Sequence, residues 1–266
     1  MIEGPVDEIA DTEIFIGLTP DNKQFTVYSN NVIVTPAPQP VNPYMLGGFW
    51  KRGEQVTEPQ SVAMVLPYPK GDIQLHMTNF EGTFKTLGSN FILRTRGYGG
   101  FNGSMRDNSI EVKQCGSYDT SVVPCYEDFD RLNFEHFSLG KGIKTVLKRD
   151  YSEDYGFLVC IIRQGMNFHP IAYTHSISKN NKLFIPTKHY HNNSEDNADW
   201  DHKIYITSCD VSPFDSKGFS TASVWSKAVV SLPKLPFKVQ NDKNVLTQFK
   251  VNSNYPDNHD MAINVN

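Results

Sequence analysis

Almost no stretch of this 266-residue chain carries the apolar spacing of an amphipathic helix. The one helix-like window is 127–137, where Phe129, Leu132 and His136 fall roughly on one face. No run is long and apolar enough to cross a bilayer, and the first eight residues, M-I-E-G-P-V-D-E, lack the basic start and apolar stretch of a leader. Synthesis in the cytoplasm, with no membrane span, is therefore expected. Cysteine is scarce: Cys115, Cys125, Cys160 and Cys209 form no C-x-x-C pair, which excludes a zinc ribbon and a thioredoxin-like motif. Cys160 lies inside F-L-V-C-I-I and reads as a small core residue, while Cys115 and Cys125 are expected as free thiols rather than a bridge. Net positive charge is also missing. The formal charge is −4 and the isoelectric point about 6.1, so no overall field draws in nucleic acid or an acidic membrane. G-x-S-x-G, P-loop and Rossmann fingerprints are absent, and no cysteine sits in a recognisable nucleophile context. Neither enzymatic activity nor a cofactor is expected.

What is present is period-two alternation. Phe25 and Val27, then Ile73, Leu75 and Met77, then Ile110 and Val112, then Ile204 and Ile206 each place apolar side chains on every second residue. Strands are expected at 13–18, 24–34, 48–56, 61–66, 72–77, 80–86, 90–96, 98–106, 109–114, 142–148, 156–163, 170–177, 182–188, 203–209 and 221–232. The run Phe157 to Ile162 is continuously apolar and should be covered on both faces. Thr35 to Pro43 is too rich in proline for a central strand and reads as an extended connector. These features divide the chain into an N-terminal arm with edge strands and connector (1–43), a β-domain (44–239) and an Asn- and Asp-rich extended tail (240–266). The apolar islands of that tail, such as Val245-Leu246, are expected to pack on the domain surface or on a neighbour.

Three groups of residues suggest chemistry. His189, His191 and Glu195 form H-x-H-x-x-x-E; in a strand, residues two apart share a face, so both imidazoles could grip one metal with the carboxylate completing the set. The spacing resembles the first metal motif of cupins, without its glycines or a second motif downstream, and two histidines closing a strand into a polar loop explain it as well. The carboxylates from Glu195 to Asp201 lack the order and glycine of an EF-hand. The glycines from Gly97 to Gly103 are followed by no helix to receive a phosphate, and strand distortion or close backbone packing accounts for them. Trp50, Trp200 and Trp225 would serve a carbohydrate- or ligand-binding β-sandwich, the alternative function.

Three segments in order resemble the capsid proteins of picorna-like viruses, in particular the small single-jelly-roll coat proteins of insect positive-strand RNA viruses. They are G-Y-G-G-F-N-G-S-M-R from Gly97 to Arg106, then His175 to Pro186 leading into H-Y-H at 189–191, then the order of the remaining strands from Gly48 to Leu232. Asp107-Asn108 departs from the aromatic and basic residues that usually follow the first motif. The resemblance implies an all-β, eight-stranded jelly-roll β-sandwich with extended arms. It further implies a structural protein of a virion, assembling with itself and sister subunits into an icosahedral shell. A host receptor would be a further partner, and viral RNA would be contacted only weakly or indirectly, because the N-terminal arm is acidic.

Overall fold

The computed structural model describes residues 1–3, 6–34, 62–77, 80, 82–89, 91, 112–132, 139–151, 153–162, 169–190, 199–207, 223–229, 235, 240, 245–254 and 260–264. Among them the strands are β1 (Ile2–Glu3), β2 (Val6–Leu18), β3 (Lys23–Val34), β4 (Ala63–Pro69), β5 (Ile73–His76), β6 (Val112–Cys115), β7 (Tyr118–Val123), β8 (Tyr155–Ile162), β9 (Ile171–Ser176), β10 (Lys182–Ile185), β11 (Asp199–Thr207), β12 (Ser223–Val229), β13 (Val245–Asn254) and β14 (Met261–Asn264). Two helices, α1 (Thr83–Gly88) and α2 (Lys141–Asp150), and a 3₁₀ turn at Tyr126–Arg131 complete the described elements.

The strands form three sheets. One is antiparallel with the order β1-β4-β8-β7-β6, the second runs β12-β13-β11-β2-β3-β9-β5, and the third is the pair β10-β14. In the second sheet β11 and β2 run parallel while their neighbours are antiparallel. The two large sheets face each other. Ile14, Ile16 and Leu18 of β2 and Ile204 and Ile206 of β11 meet Met64, Leu66 and Tyr68 of β4 and Leu158 and Cys160 of β8 in one cluster between the sheets.

Both outer faces are covered as well. Alternate residues of β2, β3 and β9, namely Phe15, Phe25, Val27 and Ala172, point the other way and pack with Phe84 and Leu87 of α1. Ala63, Val65, Phe157 and Val159 turn outward from the five-stranded sheet onto Ile143, Val146 and Leu147 of α2 and Phe129 of the 3₁₀ turn. The layers are thus α1, seven strands, five strands, α2. Two-sided burial explains why β4 is buried at every residue and why β8 reads as an uninterrupted apolar run.

The expectation of an eight-stranded jelly-roll sandwich is therefore corrected. A jelly roll is antiparallel and leaves the outer faces of its two sheets to alternate with polar residues. Here helices cover both faces, and the β2–β11 pair is parallel. Two expected strands are helices: 80–86 overlaps α1 and 142–148 lies within α2. The β-branched Ile143, Thr145 and Val146 favour a strand reading, yet Ile143, Val146 and Leu147 sit at the i, i+3, i+4 positions of one helical face, and Lys148 and Arg149 complement the dipole of its last turn. The helix-like window at 127–137 overlaps the 3₁₀ turn, with Phe129 and Leu132 buried.

Both ends of the chain enter the sheets. In the segment expected as an arm, β2 and β3 occupy the middle of the seven-stranded sheet, and in the expected tail β13 runs between β11 and β12. Gly17 marks how closely the middle of that sheet is packed: a Cβ there would lie 2.7 Å from the Phe25 ring and 2.8 Å from the Thr207 carbonyl oxygen. The connector at 35–43, Trp50 and the strands expected at 48–56 and 98–106 lie outside the described residues; of the strand expected at 90–96 Phe91 alone is described, as a turn residue packed on the α1 side of the seven-stranded sheet.

Candidate functional site

Chemically able side chains gather at two opposite flanks of the sandwich. On the first, the β10–β14 pair closes the gap between the large sheets, inserting Leu183, Ile185, Met261 and Ile263 into the central core. Gln24 of β3 ties this closure down: its Nε2 donates to the Phe184 carbonyl at 2.6 Å, and the Phe184 N–H donates to its Oε1 at 2.8 Å. The Ile2 N–H donates to the Tyr190 carbonyl at 2.8 Å, so β1 is clasped between β4 and the chain leaving β10.

A polar cluster is enclosed behind this closure. Asp260, just before β14, accepts hydrogen bonds from the Lys188 N–H at 2.7 Å and from the Tyr151 hydroxyl. Burial pushes its carboxyl above the usual carboxylate range, against the opposing pull of the Tyr151 and Lys188 donors and the nearby amino group of Met1. That amino group donates to the Val65 carbonyl at 3.1 Å, and burial lowers its pKa to about 6 despite the attraction of Asp260. Burial likewise holds the Tyr151 hydroxyl well above its ordinary value. Lys188 pairs through Nζ with Asp150, which also receives Arg149 Nε at 2.6 Å and Nη2 at 2.7 Å. Those contacts, Arg149 first, hold Asp150 below the usual carboxylate range.

Beside them stand His189 and His202, with ring centroids 4.8 Å apart. His202 is fully buried, and burial, reinforced by the charges of His189 and the Met1 amine, keeps it neutral far below the ordinary imidazole range. Of the expected metal set, His189 is buried here, whereas His191 and Glu195 lie outside the described residues. Among the described residues no three His, Cys, Asp or Glu side chains are grouped to hold a metal ion. The structure pairs His189 with His202, which spacing did not suggest. His202 nevertheless alternates with Ile204 and Ile206, a register that marks it as facing inward.

Among the described residues the second flank is open. It is a cleft of about 280 Å³ lined by Ile73, Gln74 and Leu75 of β5, Lys113 of β6, Thr120 and Val122 of β7, Pro124 and Arg131. β5 ends the seven-stranded sheet and β6 ends the five-stranded one, so the two sheets part here without a closing pair among the described residues. At its margin His169 supports the β6–β7 turn: its Nε2 accepts from the Ser117 N–H at 2.9 Å, beside Gly116 with φ +57°. The thiols of Cys115, Cys125 and Cys160 are free. Burial raises Cys115 to about 11 and lifts Cys160 well above the ordinary thiol range, so neither is an activated nucleophile.

No family model matches the sequence, and no curated protein matches it. Solved structures do. The crystal structure of baculovirus P35 superposes with a TM-score of 0.50 at 13% identity, covering 97% of this chain and 96% of that one. A mutated baculovirus P35 after caspase cleavage superposes with a TM-score of 0.50 at 14% identity, covering 97% of this chain and all of that one. The likeness runs nearly end to end and shows the fold. It overturns the resemblance to picorna-like capsid proteins, and with it the capsid subunits expected as partners, the virion role and the shell-forming function. Of the motifs behind that resemblance, the one ending at Arg106 lies outside the described residues, and His175 to Pro186 is a strand end, a turn and a strand, an arrangement that unrelated β-rich folds share. Among the described residues no helix is long and apolar enough to cross a membrane.

Proposed function

We propose that this chain binds a protease of the caspase class and is cut by it, acting as a stoichiometric target and not as a catalyst. The observation that carries the reading is the end-to-end likeness in fold to P35, one of whose solved forms is the product of caspase cleavage. The layer topology supplies a physical reason why being cut could serve as a function. A break between α1 and β6 would leave β1–β5 on one fragment and β6–β14 on the other. β4 pairs with β8, β2 with β11, and β3 and β5 with β9, so the fragments interleave in both large sheets. The two fragments of a chain nicked there stay together as one folded body, so both cut ends remain available to the protease, and slow release of that body from the protease is what would make the chain an inhibitor.

A caspase cuts after aspartate. Asp107, outside the described residues, is the aspartate that the sequence carries between α1 and β6, and its bond to Asn108 is the proposed target. The test is to titrate a panel of caspases with the purified chain, following protease activity and fragment masses. One cut after Asp107, fragments that co-elute in size-exclusion chromatography, a proportional fall in protease activity and loss of all three in Asp107→Ala are expected. An intact chain and undiminished activity with every caspase at equimolar ratio would overturn the reading.

A further inference from the structure

The open flank presents two strand edges, an apolar floor and a charged rim, each pointing to the same kind of occupant. Among the described residues β5 pairs with β9 on one side and β6 with β7 on one side, so each offers backbone groups along its other edge, apart from the His76 carbonyl, which accepts from the Cys115 thiol at 3.8 Å. Between them Ile73, Leu75 and Val122 pack against the central core yet stay partly exposed. Among the described residues the closing pair that buries their counterparts on the opposite flank has no equivalent here. At about 280 Å³ the cleft falls below the ~300–1,000 Å³ of pockets that enclose a whole small molecule, and suits one or two side chains of a peptide.

The rim decides the chemistry of those side chains. Lys113 and Arg131 are exposed there, and among the described residues no carboxylate lines the cleft. Arg131 gives one N–H to Asp128 at 2.8 Å, and a guanidinium carries five donors, so the contact does not exhaust it. Gln74 and Thr120 add neutral polar groups. We propose that this cleft receives an extended peptide segment bearing an acidic side chain, which adds as a strand along β5, seats an aliphatic residue on Leu75 and Val122, and turns a carboxylate toward Lys113 and Arg131. Main-chain bonds to the edge would supply affinity, and the alternating side chains would supply selectivity. The proposal is independent of the protease reading, and its probes contain no aspartate for a caspase to cut.

The probes are two fluorescein-labelled, N-acetylated octapeptides, TVEVTVEV and TVKVTVKV, followed by fluorescence anisotropy with the full chain in 0.15 M salt. The glutamate peptide is expected to bind at least tenfold more tightly than the lysine peptide. In the double variant Lys113→Glu, Arg131→Glu the preference should reverse; both positions are exposed, and a thermal melt confirms that the variant is folded. Equal binding of the two peptides, no binding of either at millimolar concentration, or a folded double variant that keeps the glutamate preference would each overturn the proposal.

Discussion

The two flanks of the sandwich are finished in opposite ways. On one, β10 and β14 fill the gap between the sheets, Gln24 fastens β10, and β1 is clasped between β4 and Tyr190. Among the polar groups enclosed there, Asp260 accepts from Tyr151 and Lys188, Lys188 pairs with Asp150, and the His189 ring packs against the His202 ring. On the other, β5 and β6 part over Ile73, Leu75 and Val122 with no such pair among the described residues. β1 and β14 both lie on the closed flank, where they help to seal the sandwich. Capacity to receive another chain is left where the sandwich stays open.

The comparison breaks most severely if the seal is attacked. Ile263 is 2% exposed and pairs with Leu183, so Ile263→Asp drives a charge into the core. A penalty of several kcal/mol against a total of ~5–15 kcal/mol should abolish the cooperative thermal transition. Next, Asp260→Ala strips the acceptor from the Tyr151 hydroxyl and the Lys188 N–H; a loss of about 3 kcal/mol in urea unfolding is expected.

Acid should weaken both flanks. His175, beneath the open one, is buried beside Tyr68 and Tyr173, and burial lowers its pKa from 6.5 to about 4. Below 6.5 the unfolded chain takes up a proton that the folded chain refuses. Stability present at neutral pH is therefore lost from 6.5 down to about 4 and levels off below, costing about 3 kcal/mol through His175. His202 acts in the same direction on the closed flank. Urea unfolding across this range, repeated with His175→Phe, should show a shallower fall in the variant. The smallest effect belongs to the open flank: Leu75→Ala trims a half-exposed side chain and should cost about 1 kcal/mol, against ~2–5 kcal/mol for a fully buried leucine.

Strands that carry their own signal were legible. The run Phe157 to Ile162 announces a strand covered on both faces, and β8 is one; the expected strands 170–177 and 182–188 overlap β9 and β10. Partnership was not legible. Whether Ile14 and Phe15 face a second sheet, a helix or solvent depends on residues fifty or more positions away, and alternation alone cannot say which. Asp260 lies among Asn and Asp residues that look uniformly solvated, and only the closing of β14 on β10 encloses it. His189 stood out by its spacing to His191, whereas the histidine it meets is His202, whose one local clue is its register with Ile204.

Native-state hydrogen exchange resolved by residue tests the sealed and open flanks most directly. The account predicts that amides of β14 and the Ile2 N–H exchange only with global unfolding, at the level of β8, while β5 and β6 exchange through smaller local openings. Rapid exchange of β14 and Ile2 beside a slowly exchanging β8 would contradict it, because the termini would then be arms laid on a core complete without them.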